Sequence, residues 1–216
     1  GVSLVGGHST TGPELFVGLS ITGTPARGEH VLGLDGLQPG DRLVLTRPLG
    51  SGVLFAADMR GLAAGRWIEA LAQHMLRDGA ATMRAALRHP VRACTDVSGF
   101  GLAGHLLDLL ERSAVAADLY VEAIPVAEGV RTLLDAGVRS TFHAQNATAA
   151  DRVTADAGVA ESDLEILFDP QTAGGLLLAV PPSACEALLA AVRAAGDAEA
   201  NAIGLVRAAA PNAPPI

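Results

Sequence analysis

Residues 93–105 read Ala-Cys-Thr-Asp-Val-Ser-Gly-Phe-Gly-Leu-Ala-Gly-His, and they are the most informative stretch of the chain. An apolar run that begins at Val91 ends at a lone carboxylate, Asp96, and an amphipathic segment opens at Leu102. Glycines occupy positions 99, 101 and 104. The pattern predicts a strand that stops at an acid and turns through glycine into a helix. Such a corner places the acid beside free backbone N–H groups, where phosphates and their metal ions bind.

Outward from this corner, predicted strands alternate with predicted helices. Strands are expected at 15–23, 42–46, 91–95, 117–122, 164–168, 176–180 and 202–206. Helices are expected over about ten residues after 52, then at 66–88 (one helix, or two broken near Gly79), 102–112, 126–136 and 183–195. The alternation predicts an α/β (α+β layered) fold with a mixed sheet packed against helices. Residues 140–162 show no clear period, and residues 208–216 are expected to form a disordered tail.

Composition excludes several classes of protein. The chain has 216 residues, half of them apolar, which fits one large domain or two small ones. No apolar run reaches the roughly 18 to 20 residues that a membrane span needs. The net charge is −8 and aromatic residues are few, which argues against binding to nucleic acid. We therefore expect a cytoplasmic protein that binds neither nucleic acid nor membranes.

The basic residues and the cysteines limit the chemistry further. All 15 basic residues are arginine, so no mechanism can take a catalytic or phosphate-binding lysine from this chain. Cys94 and Cys185 lie far apart and show no spacing typical of metal ligands. We expect both to be structural thiols in a reducing compartment.

Asp96 allows two interpretations, which the residues alone leave open. The first is a ligand of Mg²⁺, an ion that prefers octahedral oxygen ligands and usually shares waters and substrate phosphates. Other carboxylates would have to come from elsewhere. The second is a helix cap, since Asp96 and Ser98 are both good capping residues. His105 lies one turn into the predicted helix and is the histidine placed to face this corner.

The same stretch supports an alternative function. Gly99, Gly101 and Gly104 match a dinucleotide-binding fingerprint, and Glu122 ends the next predicted strand about 20 residues later, where a ribose-binding acid would lie. Two features weaken this interpretation. Residues 95–98 are polar where the strand of that motif should be apolar, and the unit begins well inside the chain.

A second unusual turn spans residues 169–175. Pro170 fixes one end and two glycines free the other, while Asp169, Gln171 and Thr172 supply polar groups next to Gly174. A structural connection between strands is one interpretation, and a loop lining the functional cleft is the other.

Near the start of the chain, Gly6-Gly7-His8-Ser9 follows an apolar tripeptide. Its two glycines let a backbone approach a ligand closely, and His8 and Ser9 add hydrogen-bonding groups. Taken alone, this pattern is more typical of an ordinary turn than of a binding site.

Together these motifs resemble the selenophosphate synthetases (selenide, water dikinases), which are related to the aminoimidazole ribonucleotide synthetases. The resemblance covers most of residues 5–180. Its most specific parts are the Cys-Thr-Asp-Val-Ser-Gly-Phe-Gly run at 94–101 and the Asp-Pro-Gln-Thr-Ala-Gly-Gly run at 169–175. Other matching pieces are residues 6–9, 17–24, 39–41, 43–46 and 48–52.

The resemblance implies a fold like the C-terminal domain of aminoimidazole ribonucleotide synthetase over residues 25–207. Residues 1–24 would be a terminal strand segment of a truncated N-terminal ATP-binding domain. By the same resemblance, Asp96 is the metal-binding aspartate of the C-terminal domain. Gly6, Gly7, His8 and Ser9 match a stretch that touches ATP, in the family from the neighbouring subunit of a dimer.

The implied reaction converts selenide, ATP and water into selenophosphate, AMP and phosphate, with Mg²⁺ as cofactor. The reactive Cys and the Lys of the family lie in its N-terminal domain and have no counterpart here, so the catalytic residues are unknown and this chain alone should be inactive. We expect it to require that missing domain and to form a homodimer in the full-length protein. The remaining hypotheses are a dinucleotide-binding oxidoreductase domain and a non-catalytic interaction domain.

Overall fold

The computed structural model describes residues 3–25 and 31–216. The chain divides into two units, Gly1–Val31 and Leu32–Ile216. The division lies a few residues beyond the boundary that the motifs predict, between residues 24 and 25.

The first unit contains neither helix nor strand in residues 3–25. The strand predicted at 15–23 is therefore wrong, even though the segment is apolar: Leu15, Phe16 and Val17 are all exposed. A strand is stable only where a neighbouring strand takes up its backbone hydrogen bonds, and sequence pattern alone does not supply that neighbour. That residues 1–24 are the end of an N-terminal domain stays a prediction.

The second unit is built on one sheet. Its strands are β1 (Arg42–Leu45), β2 (Ala93–Asp96), β3 (Val115–Leu119), β4 (Leu176–Val180) and β5 (Asn201–Ala208). Their order across the sheet is β2-β4-β1-β5-β3, so β2 and β3 form opposite edges. All four pairings are antiparallel within the described part of the chain. The sheet is thus antiparallel rather than mixed, and one isolated parallel bridge joins Leu49 to Val126.

Helices cover both faces of this sheet. They are α1 (Ser51–Asp58), α2 (Gly65–Met75), α3 (Ala80–Ala86), α4 (Gly101–Ser113), α5 (Val130–Asp135), α6 (His143–Asn146), α7 (Glu161–Glu165) and α8 (Pro182–Ala194). The long pattern at 66–88 is two helices, with the break before Gly79 that the sequence allowed. None of the helices within residues 3–25 and 31–216 is both long and apolar enough to cross a membrane.

The period of two along the strands divides the core into two layers. Leu43 and Leu45 of β1 pack into the larger apolar cluster, which includes the stripe of leucines on α4. Val44 faces the opposite cluster, which also contains Leu188 of α8. Because each fully buried leucine or valine stabilises the fold by about 1.5–3 kcal/mol, this alternation fixes which strand face each helix covers.

Two further local predictions are wrong. Residues 164–168 form the end of α7 and a 3₁₀ turn at Ile166–Phe168 instead of a strand. The tail at 208–216 is not disordered: the backbone N–H of Ala117 donates to the carbonyl of Pro215, and the Ile216 side chain is buried. A proline-rich composition suggested fraying, but the terminal isoleucine gains enough burial to hold the segment.

Candidate functional site

The corner predicted around Asp96 is formed in the structure. Asp96 is the last residue of the edge strand β2, where it pairs with Leu176, and it is exposed. The next residue, Val97, is fully buried, and its N–H donates to the carbonyl of Gly175 at 2.8 Å. The alternation along the strand therefore turns the Asp96 carboxylate outward while its neighbour anchors the backbone.

Two glycines allow the backbone at this corner to pack closely against the rest of the domain. Gly101, the first residue of α4, has φ +68, and a Cβ there would lie 2.8 Å from the carbonyl oxygen of Leu167. A Cβ on Gly174 would lie 2.0 Å from the carbonyl oxygen of Val97. Only glycine permits these approaches, so both specific motifs use glycine to bring their backbones into contact.

The geometry does not support the dinucleotide alternative. In that motif, the strands before and after the helix are parallel members of one sheet. Here β2 and β3 lie at opposite edges and pair only with antiparallel neighbours in the described residues. Glu122 lies in a 3₁₀ turn at Val121–Ala123 rather than at the end of a strand. The glycines at 101 and 104 accommodate the protein's own Leu167 and Phe100.

The loop at 169–175 has a role that the sequence left open. Gln171 is buried, and its Oε1 accepts hydrogen bonds from the N–H of Gly50 at 3.0 Å and of Ser51 at 3.3 Å. Asp169 is fully buried, and its Oδ2 accepts from the N–H of Gly52 at 3.1 Å. These two side chains satisfy the first N–H groups of α1, which helix geometry leaves without partners.

The environment of Asp169 is unusual for a carboxylate. Burial raises the pKa of the Asp169 carboxyl to about 7, although the hydrogen bonds that it accepts act in the opposite direction. Its Oδ1 atom has no hydrogen-bond partner among the residues that the structure describes. The side chain therefore serves α1 from inside the protein and does not face a cleft.

The far side of the same loop lines a cavity of about 240 Å³. Its lining includes Thr172, Gly174, Trp67, His74 and Ser51. Thr172 is exposed, whereas Gly174 is half-buried. The loop residues predicted for a cleft thus separate into two groups, since Asp169 holds α1 from inside whereas Thr172 is exposed and lines the cavity.

His105 reaches back from α4 to the corner. Its Nε2 lies 3.0 Å from the backbone N of Ser98 and 3.2 Å from Ser98 Oγ. Burial lowers the pKa of the His105 imidazole, while the nearby carboxylates of Asp96 and Asp108 act to raise it. The sequence placed His105 near Asp96, and the structure connects it to the intervening serine.

Sequence reasoning missed one contributor to the site. The side-chain amide of Asn146, in α6, donates to the carbonyl oxygens of Gly99 at 2.8 Å and of Phe168 at 3.0 Å. It ties the glycine-rich turn to the segment before the second loop. Residues 140–162 carry no clear period, so nothing in the sequence distinguished Asn146 from the polar residues around it.

The segment at residues 6–9 belongs to the first unit. Gly6, Gly7, His8 and Ser9 are exposed, and a Cβ on either glycine would meet no atom within 4 Å. Their role in ATP binding stays a prediction.

The described residues hold no group of three or more His, Cys, Asp or Glu side chains arranged to bind a metal ion. Asp96 therefore does not form a complete metal site by itself, and its role as a metal ligand stays a prediction. Both cysteines are free and buried, and burial raises the pKa of the Cys94 thiol to about 11.

A family description, that of the C-terminal domain of AIR synthase related proteins, matches residues 38–212. The chain belongs to this family. Among curated relatives, it is 38% identical over 206 residues to the selenide, water dikinase of Nitratidesulfovibrio vulgaris (Miyazaki F), covering 91% of this chain and 57% of that protein. It is 41% identical over 187 residues to the selenide, water dikinase of Trichlorobacter lovleyi, covering 85% and 53%. The resemblance drawn from the motifs is confirmed, and the chain spans a little over half the length of these relatives.

Solved structures agree on the fold. HypE of E. coli aligns with a TM-score of 0.60 at 18% identity, over 82% of this chain and 47% of that one. Thiamine-monophosphate kinase from Stenotrophomonas maltophilia K279a aligns with a TM-score of 0.58 at 19% identity, over 85% and 52%. At these identities the likeness concerns the fold alone, and the predicted layered α/β class is confirmed.

Proposed function

We propose that this chain is the C-terminal part of a selenide, water dikinase, the enzyme that converts selenide, ATP and water into selenophosphate, AMP and phosphate. The observation that carries the proposal is the exposed carboxylate of Asp96 at the entrance to α4, inside the motif that the chain shares with this family. The family match and the identity to curated selenide, water dikinases support it.

Asp96 would hold one Mg²⁺ ion together with carboxylates from outside the described residues. A single carboxylate suits such an ion, because Mg²⁺ keeps several waters and shares the oxygens of its substrate's phosphates. When bound, Mg²⁺ offsets the negative charge on the phosphate oxygens during phosphoryl transfer.

The start of α4 would assist the same phosphates. No side chain in the described part of the protein accepts a hydrogen bond from the first residues of this helix, whose N-terminal neighbour is Phe100. The 13-residue helix directs the positive end of its dipole toward the corner where Asp96 lies. The carboxylate would place the metal, and the helix would favour the phosphate negative charge.

The remaining parts of the site lie outside this corner. Gly6, Gly7, His8 and Ser9 would contact ATP, in the manner that the family resemblance implies. The reactive Cys and the Lys of the family would come from an N-terminal domain that accounts for the rest of the relatives' length. We further propose that the complete protein is a cytoplasmic homodimer whose substrates are ATP and selenide.

The test joins this chain to the N-terminal domain that completes it and measures AMP release with and without selenide. We expect selenide-dependent AMP release from the joined protein and none from the 216-residue chain alone. Asp96→Ala should abolish the release, because the described residues form no other group of acids that could hold the metal at this corner.

Asp118→Ala is the matched control. Asp118 also lies in an edge strand, β3, and its side chain is 55% exposed, but it is on the opposite edge of the sheet and pairs with Arg207. This variant should release AMP at the normal rate. Normal turnover in Asp96→Ala would remove Asp96 from the mechanism, and a joined protein without any selenide-dependent release would favour a non-catalytic domain.

A further inference from the structure

The imidazole ring of His105 contacts the turn that follows Asp96. Its Nε2 atom lies 3.0 Å from the backbone N of Ser98. A backbone N–H can only donate a hydrogen bond, so Nε2 must accept it and carries no proton. The neutral ring therefore holds its proton on Nδ1, and an imidazolium would bring two N–H groups face to face.

The hydrogen bonds around His105 favour a positioning role for this residue and argue against Ser98 as a nucleophile. Ser98 Oγ also approaches Nε2, at 3.2 Å, as a serine nucleophile would approach its base. However, Nε2 has a single lone pair, and the backbone N–H of the same serine already occupies it. Among the described residues, no acidic side chain forms a hydrogen bond with the His105 ring. The pair thus lacks both the free lone pair and the orienting acid that a nucleophilic site requires.

Ser98 is held from both sides of its peptide backbone. Its carbonyl oxygen accepts hydrogen bonds from the N–H of Gly101 at 3.1 Å and of Gln171 at 2.9 Å. Those bonds come from the start of α4 and from the second loop, whereas the bond to its N–H comes from His105 alone. Removal of the imidazole would leave that half-buried N–H without a protein partner.

Phe100 fixes the ring itself. The two ring centroids lie 5.7 Å apart with a tilt of 46°. Gly104 makes room for this arrangement, because a Cβ there would lie 2.7 Å from the Cβ of Phe100. Three residues of the glycine-rich motif thus combine to place one nitrogen atom against the turn that follows Asp96.

We propose that His105 is a positioning residue for the cation bound by Asp96, acting through the backbone of Ser98. This inference rests on the proposed function, because it assumes that Asp96 holds a divalent cation. Ser98 lies two residues after Asp96, so the orientation of its peptide sets the direction in which β2 ends and the carboxylate projects. Groups that orient metal ligands in this way typically change metal affinity about 10-fold to 100-fold when they are removed.

The first test compares two substitutions in the protein completed by its N-terminal domain. His105→Gln places an amide oxygen near the position of Nε2 and retains the acceptor, whereas His105→Leu fills the space without one. The readout is the Mn²⁺ dissociation constant, measured by electron paramagnetic resonance, together with kcat and the Mg²⁺ concentration at half-maximal AMP release.

We expect His105→Leu to weaken Mn²⁺ binding about 10-fold or more, and His105→Gln to stay within about three-fold of the wild type. Unfolding midpoints measured in parallel show whether the domain itself is intact. Equal affinities in the two variants, whether both normal or both weak, would overturn the proposal, because a purely structural role does not depend on an acceptor at this atom.

The second test needs neither activity nor a variant. In the wild-type chain labelled with ¹⁵N-histidine, the His105 ring should show the tautomer with the proton on Nδ1 at neutral pH. A proton on Nε2, or an imidazolium, would overturn the inference whatever the enzyme does. If His105 shows the expected tautomer but the completed protein releases no AMP with selenide, the proposed function is wrong. The metal role assigned to His105 is then wrong as well.

Discussion

In this domain, glycine-rich turns lead into both α1 and α4, and each turn with the first residues of its helix is called an entrance here. The two entrances have similar sequences, but their polar groups have different partners. At α1, Gly50, Ser51 and Gly52 give their N–H groups to Gln171 and Asp169, which are buried. At α4, the entrance runs from the exposed Asp96 to an N-cap, Phe100, that offers no side-chain acceptor. The first entrance is filled by the protein's own acid and amide, and the second presents an acid to solvent.

The difference shows why a glycine-rich turn before a helix is an ambiguous signal. Both turns place N–H groups at the positive end of a helix dipole, and both need an acceptor. At α1 the acceptors come from a loop more than a hundred residues later in the chain, so this helix start is unavailable to a ligand. At α4 the N–H of Gly101 donates to the carbonyl of Ser98, and within the described residues no side chain accepts from the first N–H groups of the helix, an arrangement that a bound phosphate can use.

The largest effect on stability should come from adding a side chain where Gly101 packs closely against Leu167, at the start of α4. Gly101→Ala would place a Cβ against the Leu167 carbonyl while keeping a left-handed backbone, so we expect a loss of about 3 kcal/mol or more in the free energy of unfolding. Urea denaturation followed by circular dichroism measures it. Gly99→Ala is the matched control, since a Cβ there meets no atom within 4 Å. Equal losses in the two variants would mean that the approach to Leu167 does not shape the entrance.

At the α1 entrance, Gln171→Ala should cost about 2–3 kcal/mol, because the buried N–H groups of Gly50 and Ser51 would lose their acceptor. Asp96→Ala, at the open entrance, should stay within about 0.5 kcal/mol of the wild type. Chemical denaturation of both variants gives the comparison. A neutral Gln171→Ala would show that the loop does not cap α1, and the contrast between the two entrances would fail.

A smaller effect should appear in the pH dependence of stability. The pKa of Asp169 is raised to about 7 in the folded protein, so between the ordinary pKa of an aspartate and this value the folded state binds more protons than the unfolded state. This group's contribution to stability therefore falls as the pH rises, by about 1–2 kcal/mol between about pH 5 and pH 7. Thermal denaturation of the wild type and Asp169→Asn across this range measures the difference.

That comparison isolates Asp169 from the histidines. Burial lowers the pKa values of His74, His105 and His143, so these groups act in the opposite direction and make the protein more stable as the pH rises. The wild type and Asp169→Asn contain the same histidines, so the histidine contributions cancel when the two stabilities are subtracted. If the stability difference between the wild type and Asp169→Asn does not change with pH, Asp169 titrates as an ordinary surface carboxylate.

The sequence predicted most of the secondary structure because its hydrophobic periods are clear. The leucine stripe at 102, 106, 109 and 110 gave α4, and the apolar runs at 42–46 and 176–180 gave β1 and β4. The failures share a cause. Residues 15–23 and 164–168 are short apolar runs, and a short run is a strand only if a neighbouring strand pairs with it, which is a long-range fact.

The site was predictable in part, for a similar reason. The acid at the end of β2 and the turn after it follow from local pattern, and the structure forms both. The capping by Gln171, the bond from Asn146 to Gly99 and the bond from His105 to Ser98 depend on how distant segments or successive turns pack. Local pattern identifies polar residues, whereas packing decides which of them are used internally and which remain open.

We propose that the entrance at α4 binds the catalytic cation and that the entrance at α1 does not. The most direct measurement is the Mn²⁺ dissociation constant of the completed protein with Asp96→Asn at one entrance and Asp169→Asn at the other. We expect Asp96→Asn to weaken binding about 10-fold or more and Asp169→Asn to change it less than about three-fold. Unchanged affinity in Asp96→Asn, or an equal loss in both variants, would contradict the proposal.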